Sequence, residues 1–180
     1  MTVRRIAHWQ ISRTLCIFSL CAIALLFVSC QSSSPNVAEG HRAPKLEIHD
    51  AKTGGRVALD QYTGRVMFIN FWATWCAPCR EELPSIEALY REFGSDGRFV
   101  MLTVLYKDAP ESASQYMGEN GYSFPIYTDP DGTSAKEYGV TGVPETYLVD
   151  KKGVLRKKII GSLDWSSKEA RSFVNALLLE

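Results

Sequence analysis

The sequence carries no net charge, because its 20 lysine and arginine residues balance 20 aspartate and glutamate residues over 180 positions. It also lacks long runs of like charge. A protein that neutralises the phosphates of nucleic acid needs a basic excess or a basic patch, so binding of DNA or RNA is not expected. Hydrophobic residues make up 46% and charged residues 22%, which is typical of a folded globular protein rather than a disordered or fibrous one.

Residues that bind metals are also scarce. After residue 30 the chain has only the cysteines Cys76 and Cys79 and the histidines His41 and His49. A structural zinc site needs about four ligands, and the two histidines are not spaced as a ligand pair. The sequence therefore predicts no metal site.

The N-terminal apolar segment is too short for an ordinary membrane-spanning helix. It runs without charge for 16 residues from Thr14 to Ser29, whereas a spanning helix needs about 20 apolar residues. Arginines precede it and no acidic residue occurs before residue 31. This arrangement predicts a signal peptide over residues 1–30.

The end of this segment, Leu26-Phe27-Val28-Ser29-Cys30, resembles a bacterial lipobox. The resemblance implies that Cys30 is the lipid-attachment residue. The alternative is an uncleaved signal anchor in which Cys30 is unmodified. Both alternatives place the rest of the chain outside the cytoplasm and tether it to a membrane. Residues 31–43 are rich in serine and have no apolar period, so they are predicted to form a flexible tether.

One compact α/β domain is predicted over residues 44–180. The run Val66–Trp72 is almost continuously apolar, as in strands buried on both faces. Pro78 suits the first turn of a helix, whose apolar positions then recur up to Phe93. A second buried strand over 99–106 completes a right-handed βαβ unit. We also predict hairpins over 46–59 and 146–160, a helix over 111–120 and a last helix from Ser166.

The segment Cys76-Ala77-Pro78-Cys79 lies between the first buried strand and this helix. Two cysteines at this spacing can form a disulfide with little backbone movement. Cys76 would lie at the helix N-terminus, where the dipole and unpaired N–H groups stabilise a thiolate. A thiolate is the attacking species in thiol–disulfide exchange, so we expect Cys76 to attack and Cys79 to resolve the mixed disulfide.

Other uses of the two cysteines are possible. A structural disulfide that closes so small a loop would contribute little stability, because the entropic gain shrinks with loop length. A metal site would lack ligands. A peroxidase of the peroxiredoxin type would want a threonine three residues before the attacking cysteine, and that position is Ala73.

The segments Phe71–Pro84 and Gly139–Asp150 resemble the active-site regions of the thioredoxin superfamily, and more narrowly its membrane-tethered ResA/TlpA/CcmG branch. The resemblance extends over nearly all of residues 43–180. It implies a thioredoxin fold, which is a mixed central sheet flanked by helices, with an N-terminal β-hairpin and a central insertion near residues 107–128.

The same resemblance implies roles for individual residues. Pro144 would be a cis-proline that faces the two cysteines, and Val143 would offer its backbone to an extended substrate segment. Glu82 would move protons for Cys79, since the two share a helix face; the alternative is a solvated acid on that face. Trp75 would shield the disulfide. Glu145 resembles the cytochrome-maturation subset, so the expected substrate-binding residues are Trp75, Val143, Pro144 and Glu145.

These features predict an extracytoplasmic, membrane-anchored thiol–disulfide oxidoreductase that reduces protein disulfides. No cofactor is expected beyond the redox-active Cys76–Cys79 pair. By family analogy, electrons would come from a membrane thiol carrier, and the substrate would be an apocytochrome c or its haem-ligation partner. One alternative is a general periplasmic or stress-response reductase. Another is a non-catalytic thioredoxin-like binding module that presents the surface around Pro144 to a partner.

Overall fold

The computed structural model describes residues 37–180. The predicted signal peptide, Cys30 and residues 31–36 of the predicted tether lie outside the described residues. Between residues 37 and 180, none of the helices combines the length and the apolar character that crossing a membrane requires.

The described chain forms one seven-stranded mixed sheet with helices on both sides. The strands follow the order β2-β1-β5-β4-β3-β6-β7 across the sheet. The strands are β1 Glu47–Asp50, β2 Arg56–Ala58, β3 Val66–Trp72, β4 Phe99–Leu105, β5 Ile126–Thr128, β6 Glu145–Val149 and β7 Leu155–Ile160. The α-helices are α1 Ala77–Phe93, α2 Pro110–Asn120, α3 Thr133–Glu137 and α4 Lys168–Leu179, and a 3-10 helix spans Leu59–Tyr62.

The predicted βαβ unit is confirmed at the centre of the sheet. All seven residues of β3 are buried, and β3 pairs in parallel with β4 and antiparallel with β6. Helix α1 connects β3 to β4 and buries an apolar face that includes Leu83, Ile86 and Leu89. Burying each of these side chains contributes roughly 1.5–3 kcal/mol, so the helix is held firmly against the sheet.

The sheet separates two apolar clusters, because successive strand residues point to opposite faces. One cluster lies beneath α1 and α4 and contains Phe68, whose ring meets Trp165 edge-on at 4.7 Å. The other lies on the opposite face and contains Phe71, Tyr138 and Tyr147. A residue of β3 or β6 therefore belongs to one of two distinct environments.

The expected insertion consists of α2 and β5. Strand β5 pairs in parallel with β4 and antiparallel with β1, so it joins the predicted N-terminal hairpin to the main sheet. Glu87 of α1 holds the insertion in place by accepting hydrogen bonds from the backbone N–H and hydroxyl of Ser123 and from the N–H of Phe124. The short helix α3 was not predicted from the sequence.

The prediction of a flexible tether is wrong for residues 40–43. The N–H groups of Gly40 and Ala43 donate to the carbonyl oxygens of Leu155 and Gly153, at 2.7 and 2.9 Å, and the N–H of Leu155 donates to His41. Strand β7 is at the edge of the sheet, where its backbone groups would otherwise lack partners. The chain from residue 40 therefore belongs to the folded domain.

Candidate active site

The two cysteines form a disulfide at the N-terminus of α1, with their Cα atoms 5.3 Å apart. The buried strand β3 ends at Trp72, a short turn follows, and Cys76 is the residue that caps the helix. The Sγ atom of Cys76 accepts a hydrogen bond from the backbone N–H of Cys79 at 3.1 Å. The sulfur thus lies among the N-terminal N–H groups of the helix, where negative charge is stabilised.

The two sulfurs differ in access. Cys76 retains 5% of its surface exposed, whereas Cys79 is completely buried. A thiol or disulfide of another protein therefore reaches Cys76 first. This difference supports the predicted order, in which Cys76 attacks and Cys79 resolves.

The proline loop lies directly against Cys76. The Val143–Pro144 peptide bond is cis, as the resemblance implied, and the carbonyl oxygen of Val143 lies 3.5 Å from Cys76 Sγ. Val143 is half-buried, and its N–H has no hydrogen-bond partner within residues 37–180. The loop therefore presents an unpaired backbone donor next to the accessible sulfur.

Trp75 forms an exposed apolar rim beside the disulfide. Its side chain is 57% exposed, and its indole N–H donates to the carbonyl oxygen of Lys107 at 3.2 Å. The neighbouring Thr74 N–H donates to a carboxylate oxygen of Asp108 at 2.6 Å. The loop before α2 thus holds the turn that carries Trp75, and the indole remains available for contact.

Glu82 lies on the buried face of α1, so the alternative of a solvated surface acid is wrong. Its Oε1 atom accepts from Asn70 Nδ2 at 2.9 Å, and its Oε2 atom accepts from the N–H of Leu163 at 3.2 Å. Burial raises the pKa of Glu82 to about 7, while these two bonds and the nearby indole of Trp165 oppose the rise. The indole N–H of Trp165 favours the charged form of Glu82 by its proximity, although it makes no hydrogen bond within residues 37–180. The carboxyl can therefore gain or lose a proton near neutral pH.

A groove of about 400 Å³ opens onto Glu82 between α1 and the loop that follows β7. Ser85 holds the two walls together, since its hydroxyl donates to the carbonyl oxygen of Glu82 at 2.7 Å and accepts from the N–H of Trp165 at 3.0 Å. The other lining residues include both polar and apolar side chains: Glu81, Pro84, Ala88, Ser162, Leu163, Asp164 and Ser166. Water that enters this groove reaches the surroundings of the buried carboxyl.

Glu145 does not lie where a substrate would touch it. It is 3% exposed, and its Oε2 atom bonds to the hydroxyl of Tyr147 at 2.7 Å and to Lys158 Nζ at 3.2 Å. It pairs with Phe71 across the sheet, so its side chain lies on the face opposite α1 and Glu82. The structure brings together Cys76, Cys79, Val143 and Pro144, but the expected substrate contact by Glu145 is not supported.

Three polar groups around Glu82 were missed by the sequence analysis: Asn70, Thr146 and Leu163. Asn70 Nδ2 donates to Thr146 Oγ1 at 2.9 Å as well as to Glu82. A signal for Asn70 was present, because it is the one amide side chain in the buried run of β3. The backbone N–H of Leu163 has no such signal.

Comparisons with known proteins agree with this site. The profile of the redoxin family matches residues 38–177. The thiol-disulfide oxidoreductase ResA of Geobacillus thermodenitrificans is 34% identical over 71% of this chain and 72% of its own. The thiol:disulfide interchange protein CycY of Rhizobium leguminosarum bv. viciae is also 34% identical, over 79% of this chain and 70% of its own.

A solved structure shows the same fold. The DsbE-type thiol:disulfide interchange protein of Chlorobium tepidum superimposes with a TM-score of 0.69 at 27% identity, covering 78% of this chain and 98% of that chain. The seven-stranded sheet, the disulfide at the start of α1 and these relatives agree with one another. The chain therefore belongs to the redoxin family, among the ResA/CcmG-type thiol–disulfide oxidoreductases of the thioredoxin superfamily.

Proposed function

We propose that this protein is an extracytoplasmic, membrane-tethered reductase of protein disulfides, with Cys76 as the attacking thiol, Cys79 as the resolving thiol and Glu82 as the proton carrier. The difference in burial between the two cysteines carries the proposal, because only Cys76 is open to a partner. Glu82 lies one helical turn after Cys79, on the same side of α1.

The first step joins enzyme and substrate. In the reduced protein, the thiolate of Cys76 attacks one sulfur of the substrate disulfide. A bond forms between Cys76 and that sulfur, the substrate S–S bond breaks, and the other substrate sulfur leaves as a thiolate that takes a proton from water. The unpaired N–H of Val143 supports this step, since an extended substrate segment can bond to it beside Cys76.

The second step releases the substrate. The thiol of Cys79 gives its proton to the carboxylate of Glu82, and the resulting thiolate attacks Cys76 Sγ. The Cys76–Cys79 disulfide forms, and the second substrate sulfur leaves as a thiolate, so two electrons have passed to the substrate. Glu82 then returns the proton to water in the groove beside Ser85. A membrane dithiol carrier would reduce the disulfide again.

Cytochrome c maturation is the proposed setting, with an apocytochrome c or a haem-ligation protein as substrate. The likeness to ResA and CycY supports a thiol–disulfide exchange role. The exposed Trp75 and the backbone of Val143 provide one apolar contact and one hydrogen-bond donor around Cys76, which suits a flexible cysteine-containing segment.

A trapping experiment tests the division of labour between the cysteines. Cys79→Ala removes only the second step, so a mixed disulfide between Cys76 and the substrate should accumulate in membrane extracts. The matched variant Cys76→Ala should trap nothing and lose turnover. Non-reducing electrophoresis detects the adducts, and mass spectrometry identifies the partner. Equal trapping by both variants would contradict the assignment of Cys76 as the sole attacking thiol.

The identity of the trapped partner separates the remaining alternatives. A c-type cytochrome or haem-ligation protein is the expected partner, whereas many unrelated partners would indicate a general reductase. Partner binding that survives in the double cysteine variant, without turnover, would indicate a binding module.

The membrane tether has its own test. If Cys30 is acylated, a radioactive fatty acid should label the mature protein, and Cys30→Ala should abolish the label. An unlabelled protein that keeps residues 1–29 would support the signal anchor instead.

A further inference from the structure

We propose that Asn70 is a positioning residue for the proton transfer, and that its side-chain amide rotates so that it can bond to either protonation state of Glu82. This inference rests on the proposed role of Glu82 as proton carrier. It follows from the hydrogen-bond geometry of three buried side chains: Asn70, Glu82 and Thr146.

The hydrogen bonds of Glu82 indicate which of its oxygens takes the proton. Oε2 accepts from the backbone N–H of Leu163, and a backbone N–H can only donate. A carbonyl oxygen accepts better than the hydroxyl oxygen of a carboxylic acid, so protonation of Oε1 preserves this bond best. Oε1 lies 2.9 Å from Asn70 Nδ2. Two donors would then face each other at this contact, because Nδ2 also donates.

The amide of Asn70 removes this conflict by rotation about its last side-chain bond. In the orientation observed, Nδ2 donates to both Glu82 and Thr146, which suits an ionised carboxylate. After half a turn, Oδ1 faces the same two groups. It can accept from the protonated Glu82 and from the hydroxyl of Thr146, which is able to donate as well as accept. The network is therefore satisfied toward Glu82 in both states.

The Oδ1 end of the Asn70 amide explains why neither protonation state of Glu82 dominates. Asn70 is completely buried, and its Oδ1 atom has no hydrogen-bond partner within residues 37–180. Rotation moves the NH₂ group into that unpartnered position, and an unpaired buried donor costs free energy. The amide thus favours the ionised form of Glu82, while the burial of the carboxyl favours the neutral form.

Few other charges face Glu82. The groove over it is lined by Glu81 from α1 and Asp164 from the loop after β7, and both are acidic. On the side of the sheet it accepts from the neutral amide of Asn70, which in turn donates to the hydroxyl of Thr146. Within α1 it is preceded by the thiol of Cys79 and by the exposed side chains of Arg80 and Glu81, and the thiol of Cys76 caps the helix. Asn70 is therefore the side chain whose removal should change the proton affinity of Glu82 most.

The test is the pH dependence of substrate reduction by the full-length protein, with reduced Asn70→Leu and Asn70→Asp variants beside the wild type. Leucine matches asparagine in size but donates nothing, and aspartate keeps the shape but cannot donate to a carboxylate unless it is protonated. Both should move the Glu82-dependent midpoint of the rate profile upward by about one to two pH units. Thr146→Val, which leaves the bond from Asn70 to Glu82 in place, should move it by less than about half a unit.

Glu82→Gln separates failure of this inference from failure of the proposed function. If Glu82→Gln leaves the profile unchanged, the carboxyl is not the proton carrier and the proposed function fails in that part. If Glu82→Gln removes the midpoint but Asn70→Leu and Asn70→Asp leave it in place, only the role of Asn70 is refuted. Equal shifts in the Asn70 and Thr146 variants would indicate general loosening of the site and would also refute it.

A measurement on the wild-type protein covers the case in which the Asn70 variants do not fold. With ¹⁵N and ¹³C labels, the side-chain amide signals of Asn70 should titrate with the same midpoint as the carboxyl carbon of Glu82. The exposed Asn120, whose amide bonds to the carbonyl oxygen of Tyr116, should not follow this midpoint. Amide signals of Asn70 that stay constant while Glu82 titrates would overturn the proposal.

Discussion

Replacing Glu82 with glutamine should make the oxidised protein more stable at alkaline pH, although it removes a group proposed to act in catalysis. The side chain of Glu82 is only 3% exposed, and this burial raises its pKa from 4.5 to about 7. At 1.36 kcal/mol per pKa unit, this difference corresponds to about 3 kcal/mol of free energy of unfolding.

The direction of the effect follows from proton binding. Between pH 4.5 and about 7 the unfolded chain has lost the Glu82 proton while the folded protein keeps it. The stabilising contribution of the proton is therefore complete below pH 4.5 and is lost as the pH rises through 7. A glutamine amide is neutral throughout and offers an oxygen to the N–H of Leu163. Glu82→Gln should equal the wild type at pH 4.5 and exceed it at pH 8 by up to about 3 kcal/mol.

Urea denaturation of the oxidised protein at the two pH values measures this difference. The oxidised form is used because its cysteines do not titrate. The control is Glu81→Gln, which removes the same charge from an exposed neighbour and should change stability by less than about 0.5 kcal/mol at either pH. If Glu82→Gln is equally or less stable than the wild type at pH 8, the bonds from Asn70 and Leu163 outweigh burial and the argument for a neutral-range proton carrier fails.

Two further predictions concern the other buried glutamates. Burial alone would raise the pKa of Glu87, but the hydrogen bonds from Ser123 and Arg91 hold this pKa below its usual value. The negative charge of Glu87 therefore stabilises the fold above pH 4.5, and this contribution is lost in acid. Glu87→Gln should therefore cost about 2 kcal/mol at pH 7 and much less near pH 3 by urea denaturation, and an equal cost at both would contradict this. Lys158→Met should leave Glu145 buried without its cation and cost about 3 kcal/mol, with partial recovery when Glu145→Gln is added; no recovery would show that the ion pair is not the cause.

The hydrophobic pattern of the sequence predicted the central strands and the first helix of the domain, because the pattern reflects local backbone geometry. The buried run of β3 has the observed bounds Val66–Trp72, and the periodic positions of α1 lie against the sheet. Helix α3 escaped because it has only five residues, begins after Gly132 and lacks a side-chain cap. So short a segment has too few apolar positions to establish a period.

The contacts of Glu82 could not be predicted, because they depend on how distant segments align. Asn70 and Thr146 are 76 positions apart and meet only because β3 and β6 pair in one antiparallel register. The same register explains why the side chain of Glu145 does not lie at the disulfide. Its neighbour Pro144 lies at the disulfide, but the alternation of side chains turns Glu145 to the opposite face of the sheet.

The three buried glutamates differ in the groups that surround their carboxylates, and this difference distinguishes structural residues from the candidate proton carrier. Glu87 is paired with Arg91 and bonded by three groups of the insertion loop, and Glu145 is paired with Lys158. A cation beside a buried carboxylate stabilises its negative charge, so these contacts suit Glu87 and Glu145 to structural roles. Within residues 37–180, Glu82 has no such cation and is bonded only by neutral donors. Burial raises the pKa of Glu82 to about 7, and it follows Cys79 by one helical turn, which is the arrangement that the proposed proton transfer requires.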